Sequence, residues 1–323
     1  MKKPWLILAS LLLVLLVGLL VMLGREPVVD SGAGDAAGAV QTPPAVAGRA
    51  IRIGLVPERN IFALRKRFRV LADYLQGQLH RPIELVVMSS YGGILKDFQD
   101  KEVDAAFLGS LVTVLAADRM GARVMLRTEL PGGVSTYHGV LCVPEDSPIR
   151  QVSDLAGKEL AVVRTTTGGN LFPMYALAEN GILTGDKRPN LVWMGTHDDA
   201  IAAMFNGEAA AAGVKDLRLQ AVLAANPQWK VRILGTSGEV PENTLVVRGD
   251  LADTTGKEIA AALLKMDASP EGRSALKEYG AQRFLPCGIE DFGTIFQIVE
   301  KLGPEWSQLG IDGPAPRTPS GVK

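Results

Sequence analysis

Short apolar runs alternate with amphipathic stretches over most of the chain. Nine runs of three to six residues, rich in valine, isoleucine, leucine and alanine, predict β-strands at 51–56, 83–88, 105–108, 140–143, 160–163, 191–194, 210–214, 231–234 and 245–247. Between several of them apolar residues recur at helical spacing, as at Leu64, Phe68, Leu71 and Leu75 and again at Ile201, Met204 and Phe205. This alternation predicts an α/β fold with mostly parallel sheets.

The turns that follow the predicted strands carry the candidate chemistry. In open α/β sheets ligands bind beyond the carboxyl ends of the strands, where the N-termini of helices converge. Four of these turns contain small, polar or aromatic residues suited to an anion, at 89–93 (SSYGG), 109–110 (GS), 165–169 (TTTGG) and 195–199 (GTHDD).

Three consecutive threonines, Thr165, Thr166 and Thr167, precede a helical pattern that runs from Leu171 to Glu179. Hydroxyls and unpaired backbone N–H groups at a helix start would bind an oxyanion without the help of a counter-charge. An ordinary loop with a threonine N-cap explains the same pattern, and the spacing leaves both interpretations open.

His197 lies in the first turn of a predicted helix that ends near Asn206, with Thr196 as its N-cap. An imidazole at this position can donate to a bound oxyanion, although the position taken alone favours a capping or surface histidine. Beside a doubly charged anion the imidazolium form would be favoured, so binding is expected to strengthen as the pH falls through about 6.5. His80 and His138 show no metal-ligand spacing with His197, and we expect no metal site.

A run of 20 residues without charge, 5–24, follows Lys2 and Lys3 near the N-terminus. Such a run spans roughly 30 Å as a helix, the thickness of the hydrocarbon core of a membrane. A cleaved signal peptide is the alternative, but its apolar region is shorter, about 7–15 residues. We therefore expect an uncleaved single-pass anchor over 1–25, with the chain beyond it in the periplasm or extracytoplasmic space.

The rest of the chain divides by composition. Residues 26–49, rich in glycine, alanine, proline and valine, are typical of a flexible tether. We predict a folded domain over 50–303 and an irregular, proline-rich tail over 304–323.

Charge, cysteine content and motifs exclude several functions. The 323 residues contain 34 Lys and Arg against 35 Asp and Glu, which excludes a general nucleic-acid binder. Two cysteines exclude a disulfide scaffold and a cysteine-rich zinc cluster. The chain lacks G-x-S-x-G, H-E-x-x-H, C-x-x-C and P-loop motifs, so we expect neither catalytic residues nor a cofactor.

The chain resembles the PhnD-like family of phosphonate-, phosphite- and phosphate-binding periplasmic proteins of ABC transporters. The segments that carry the resemblance are 52–57 (RIGLVP), 90–92 (SYG), 103–109 (VDAAFLG), 137–143 (YHGVLCV) and 165–168 (TTTG), together with His197. They are spread over most of the chain, from about residue 51 to residue 301.

The resemblance implies a two-lobed periplasmic-binding-protein fold of type II. Lobe one would hold about 51–138 and 245–303, lobe two about 139–244, and strands near 137–143 and 244–247 would form the hinge. Tyr91 and Tyr137 match tyrosines whose hydroxyls contact the bound phosphonate. The three threonines match the family's anion loop, and His197 matches its histidine. Ser110, in the turn after the third strand, completes the expected set of ligand-binding residues.

The chain also departs from the family. The acidic groups that bind the amine of an aminoalkylphosphonate have only loose counterparts in Asp216, Glu242 and Asn243, which favours a compact oxyanion. We expect a membrane-tethered binding protein that delivers this anion to an ABC permease. A sensor of a phosphorus or arsenic oxyanion that signals to a membrane histidine kinase is the second hypothesis, and an enzyme on a similar frame is the third.

Overall fold

The structure is a computed structural model that describes residues 48–56 and 61–322. The predicted membrane anchor and almost all of the predicted tether lie outside the described residues. Within the described ranges, no helix combines the length and the apolar character needed to cross a bilayer.

The described residues form thirteen strands. They are β1 (Ile51–Leu55), β2 (Ile83–Val87), β3 (Ala105–Leu108), β4 (Arg123–Glu129), β5 (Thr136–Tyr137), β6 (Gly139–Pro144), β7 (Glu159–Val163), β8 (Asn190–Met194), β9 (Ala211–Lys215), β10 (Val231–Thr236), β11 (Val240–Pro241), β12 (Thr244–Val247) and β13 (Arg283–Pro286). All nine predicted strands are confirmed; β4, β5, β11 and β13 were not predicted.

Nine α-helices occur in the same part of the chain. They are α1 (Ile61–Leu79), α2 (Ile94–Gln99), α3 (Ser110–Met120), α4 (Phe172–Glu179), α5 (His197–Phe205), α6 (Asp216–Ala225), α7 (Asp253–Leu264), α8 (Pro270–Tyr279) and α9 (Gly293–Leu302). A π-helical turn, Thr167–Leu171, precedes α4. The helical pattern predicted from Leu64, Phe68, Leu71 and Leu75 is confirmed, since these side chains form the buried face of α1.

The strands build two main sheets, as an α/β two-lobed fold requires. One has six strands in the order β13-β4-β12-β3-β1-β2, and the other has five in the order β10-β6-β9-β7-β8. In each sheet three consecutive strands run parallel and the rest are antiparallel. The expectation of mostly parallel sheets is therefore wrong, because the chain returns through strands that run against the strand–helix–strand units.

The chain passes between the two sheets twice. It leaves β4 of the first sheet through β5 to reach β6 of the second, and it returns from β10 through β11 to β12. On the way, β5 and β11 pair with each other as a two-stranded antiparallel ribbon, with Val240 opposite Tyr137. A ribbon of this kind is suited to a hinge; the predicted lobe boundaries and hinge function stay predictions.

The C-terminal segment packs on two helices, one of which follows a strand of the first sheet and the other a strand of the second. It forms a 3-10 helix, Gly303–Leu309, followed by an irregular stretch up to Val322. Trp306 and Leu309 are buried in a core shared with α3 and α4. The Arg119 guanidinium at the end of α3 donates to two carbonyls of the segment, those of Asp312 and Pro314, each at 2.6 Å.

Candidate ligand-binding site

A small cavity lies where elements of the two sheets face each other. Its volume is about 120 Å³, below the roughly 300–1,000 Å³ of pockets for drug-sized ligands. The structure brings together six of the seven residues predicted to bind ligand. The lining residues are Val56, Tyr91, Gly109, Val112, Tyr137, Thr165, Thr166, Thr167, Thr196, His197, Asp198, Lys215, Arg218 and Asn243.

The threonine loop joins β7 to the π-helical turn and α4. The Thr166 hydroxyl donates to the Val163 carbonyl at 2.8 Å and accepts from the Gly169 N–H at 3.1 Å, so the predicted threonine N-cap is confirmed. The Thr167 hydroxyl accepts from the Leu111 N–H at the start of α3, at 3.0 Å. These two hydroxyls thus hold the loop in place, while the first N–H groups of the turn have no acceptor inside it.

Glycine allows the loop to lie directly on the second sheet. A Cβ atom on Gly168 would lie 2.6 Å from the Val214 carbonyl oxygen and 2.9 Å from the Lys215 nitrogen, both backbone atoms of β9. A Cβ atom on Gly169 would lie 3.1 Å from Cε1 of His197. The two glycines therefore bring the threonines to the end of β9 and bring the imidazole against the loop.

Thr165 is held in an uncommon backbone conformation. Its φ is +59°, in the left-handed region that β-branched residues rarely adopt. Its side chain packs against Gly92 in the turn after β2, where an added Cβ atom would lie 3.2 Å from the threonine Oγ1. Strained conformations of this kind concentrate at binding sites, where surrounding contacts maintain them.

Of the other predicted residues, Tyr91 and Tyr137 line the cavity wall and Ser110 does not. The Tyr91 ring meets the His197 ring edge to face, with 6.0 Å between centroids. Ser110 is buried, and its hydroxyl donates to the Pro241 carbonyl at 2.8 Å. The Tyr137 hydroxyl lies within hydrogen-bond distance of the Ser110 oxygen, at 3.2 Å. Ser110 therefore orients Tyr137 from behind the wall and is the one predicted residue that does not line the cavity.

The electrostatic state of His197 is set mainly by its burial. Burial and, to a smaller extent, the nearby Lys215 ammonium lower the pKa of the imidazole to about 3. Without an anion the ring is therefore neutral near pH 6.5, because the cost of removing its charge from water exceeds the attraction of Asp198. The expectation of a charged ring beside a bound anion stays a prediction. Nδ1 of the ring is buried and has no hydrogen-bond partner among the described residues. Thr196 caps α5 as predicted, accepting from the Asp199 N–H at 3.2 Å.

The lowered pKa of His197 predicts a window of acid sensitivity. In the unfolded chain this histidine takes up a proton as the pH falls below its ordinary pKa of about 6.5, while the folded protein does not until about pH 3. The free energy of unfolding therefore keeps the full contribution of the neutral His197 above pH 6.5. It declines below that pH, by about 2 kcal/mol between pH 6.5 and 5. Urea denaturation of wild type and His197→Gln at pH 7, 6 and 5 measures it. Parallel stability curves for the two proteins would contradict the burial of a neutral ring.

Two basic residues of the cavity were missed by the sequence analysis. Lys215 is the last residue of β9 and donates to Glu242 Oε1 at 2.5 Å, and its Nζ lies 4.3 Å from the centroid of the Tyr137 ring. Arg218, on α6, forms an ion pair with Asp198. Both basic groups are paired with a carboxylate, so the interpretation of the loop as an anion site without a counter-charge stays a prediction. The sequence did contain a signal for Lys215, because this residue ends an apolar strand, and the other candidate residues also lie at strand ends.

Asp216, Glu242 and Asn243, the loose counterparts of the family's amine-binding acidic groups, do not form an amine site in the cavity. Asp216 accepts from the backbone N–H groups of His138 at 3.0 Å and Leu217 at 2.7 Å, and it does not line the cavity. Glu242 is buried against Lys215, and of the three only Asn243 lines the cavity.

The cysteines lie away from the site. Cys142 and Cys287 are free and buried, and burial raises the pKa of each thiol to about 12. Neither contributes a thiolate near neutral pH, and neither lines the cavity. This speaks against a soft trivalent arsenic ligand, which would require thiolates.

The chain is similar to proteins of one family. A family model described as "ABC transporter, phosphonate, periplasmic substrate-binding protein" matches residues 53–292. The phosphonates-binding periplasmic protein of Escherichia coli K12 is 23% identical over 240 residues, which cover 72% of this chain and 70% of that protein.

Solved structures show the same fold. The binding protein component of an ABC phosphonate transporter from Pseudomonas aeruginosa superposes with a TM-score of 0.70, at 18% identity, over 82% of this chain and 90% of that one. PhnD1 from Prochlorococcus marinus MIT 9301, in complex with methylphosphonate, superposes with a TM-score of 0.66, at 21% identity, over 78% and 98%.

Proposed function

The chain belongs to the phosphonate group of periplasmic substrate-binding proteins of ABC transporters, and from this premise we propose that it captures a small phosphorus oxyanion for an ABC permease. The family consists of binding proteins rather than enzymes. Phosphonate, phosphite and phosphate are the candidate ligands, bound in the cavity by the threonine loop, Tyr91, Tyr137 and His197.

The observation that carries this proposal is the convergence of hydrogen-bond donors on a cavity of about 120 Å³. The start of the π-helical turn offers backbone N–H groups, and helix N-termini favour anions. The His197 ring adds a buried nitrogen without a partner among the described residues, an arrangement that a bound ligand would relieve. A neutral ring would contribute a hydrogen bond to the ligand rather than a charge.

Transport fits this chain better than signalling, since the family description names an ABC transporter. A histidine kinase as partner has no comparable support. The neighbouring genes distinguish the two: genes for a permease and an ATPase would favour transport, and a gene for a membrane kinase would favour sensing.

We also infer that residues 5–24 keep the protein tethered to the inner membrane, with the binding domain in the periplasm. The support is the length of the uncharged run and the lysines before it. Cell fractionation tests this inference: the full chain should remain with the inner membrane and be open to protease from the periplasmic side. A soluble form that begins after residue 24 would show a cleaved signal.

A ligand screen by thermal unfolding tests the binding function. The full-length chain is heated with methylphosphonate, phosphite, phosphate and, as a comparison, sulfate. A ligand at 100 times its Kd adds about 2.7 kcal/mol to the stability of the folded state, which shifts the unfolding midpoint clearly. An unchanged midpoint with all three phosphorus oxyanions would overturn the proposed function.

A further inference from the structure

The C-terminal segment, residues 303–322, bonds to both ends of the threonine loop. Arg164 directly precedes the threonines, and Asn170 lies in the π-helical turn that follows them. The Asn170 amide donates to the Leu309 carbonyl at 2.9 Å, and the Arg164 guanidinium donates to the next carbonyl, that of Gly310, at 3.1 Å. Two consecutive carbonyls of the segment therefore bridge the ends of the loop, and neither residue lines the cavity.

Asn170 is fully buried and closely joined to the threonines. The backbone N–H groups of Asn170 and Leu171 both donate to the Thr166 carbonyl, at 3.2 and 3.0 Å. Oδ1 of Asn170 has no hydrogen-bond partner among the described residues, so the bond to Leu309 is the one that the amide makes there. A displacement of the C-terminal segment would therefore move the turn that carries Thr166 and Thr167.

The segment is anchored on α3, the helix whose first turn contacts the same loop. There the Leu111 N–H donates to the Thr167 hydroxyl at 3.0 Å. At the far end of α3, Arg119 donates to two carbonyls of the segment, each at 2.6 Å, and Asp118 accepts from the Arg317 N–H at 3.3 Å. The loop is thus fixed both by α3 directly and by the segment that α3 anchors.

From these contacts we propose that the C-terminal segment positions the threonine loop for ligand binding, with Asn170 as the positioning residue between them. A loop that is already held in its binding conformation loses less conformational freedom when a ligand binds, so the affinity rises without a further contact to the ligand. Neither Asn170 nor the segment lines the cavity. The inference rests on the proposed function and adds a distant part of the chain to its binding machinery.

Asn170→Ala and Arg119→Met test the proposal singly and together. The full-length proteins are titrated calorimetrically with methylphosphonate, phosphite and phosphate. We expect the affinity to fall about tenfold in Asn170→Ala, which loses the bond to the segment, and about threefold in Arg119→Met, which loosens the segment itself. The double variant should bind about as well as Asn170→Ala alone, because substitutions that act through one shared contact are not additive. Independent losses that multiply in the double variant would contradict the role of Asn170.

Arg232→Met is the matched control for Arg119→Met. Arg232, on β10, also donates to two carbonyls of a neighbouring stretch, those of Ser147 and Ile149, each at 3.1 Å. It does not line the cavity. This variant should bind with the affinity of wild type. An equal loss of affinity in Arg232→Met and Arg119→Met would show a general loosening of the domain and would overturn the proposal.

Hydrogen exchange provides a readout that a purely structural role would not change. Coupling between two sites is reciprocal, so a bound ligand must in turn stabilise the contacts of the segment. With the tightest-binding of the three anions, amide exchange in residues 311–322 should slow by more than exchange in α8. This excess should vanish in Asn170→Ala at saturating ligand, because the bond between the loop and the segment is missing.

The outcomes separate this inference from the proposed function. Unchanged affinity in either single variant would overturn the positioning role while leaving the oxyanion site in place. Exchange in the segment that the ligand does not alter would do the same. If wild type binds methylphosphonate, phosphite and phosphate no better than sulfate, the proposed function fails and the inference fails with it.

Discussion

Replacing Gly168 by alanine is expected to lower the affinity for methylphosphonate by about tenfold to a hundredfold. The new Cβ atom would lie 2.6 Å from the Val214 carbonyl oxygen and 2.8 Å from its carbon. These are backbone atoms of a central strand, so the loop must move instead, at a cost of about 1–3 kcal/mol. Since the loop positions both its own N–H groups and the His197 ring, this displacement moves the groups that bind the ligand and weakens their hydrogen bonds to it. Calorimetric titration measures it.

Gly77→Ala is the matched control for this substitution. Gly77 is exposed on α1, and an added Cβ atom would have no neighbour within 4 Å. Alanine is the better helix former, so this variant should be slightly more stable and bind with unchanged affinity. If Gly168→Ala binds as tightly as Gly77→Ala, the loop does not hold the ligand.

Trp306→Ala is expected to destabilise the folded domain by about 3–5 kcal/mol. The indole is 5% exposed within the core that α3 and α4 share, and Nε1 donates to the Gly313 carbonyl at 3.2 Å. Removing it leaves a cavity and an unpaired carbonyl. Urea denaturation and the thermal midpoint measure the loss.

Phe62→Ala provides the comparison, because this aromatic side chain is 84% exposed and its removal should change stability by less than about 0.5 kcal/mol. Equal stabilities of the two variants would mean that the C-terminal segment does not pack on the domain in solution.

The apolar pattern was sufficient to predict most of the fold. Short uninterrupted apolar runs, AAFL in β3 and LAVV in β7, mark strands that are buried on both faces, and these were predicted within a residue. β4 escaped because only three of its seven residues, at 124–126, are apolar, and only part of the strand is buried. The two short strands of the crossing ribbon have two residues each, too few for any periodicity.

The candidate site was predicted as a set of residues but not in its electrostatics. The rule that ligands bind beyond strand ends, together with the family resemblance, pointed to Tyr91, the threonines and His197. The neutrality of His197 depends on how deeply the ring is buried and on Lys215 nearby, which are tertiary facts. The pair of Lys215 with Glu242 joins residues 27 positions apart and has no local signal.

A crystal structure of the full-length protein grown with methylphosphonate tests the central claim most directly. The account predicts one phosphonate in the cavity, its oxygens within about 3 Å of backbone N–H groups of Thr167 and Gly168, with a His197 ring nitrogen as a further donor. A phosphonate bound elsewhere on the domain, with the threonine loop making no contact to it, would contradict the account.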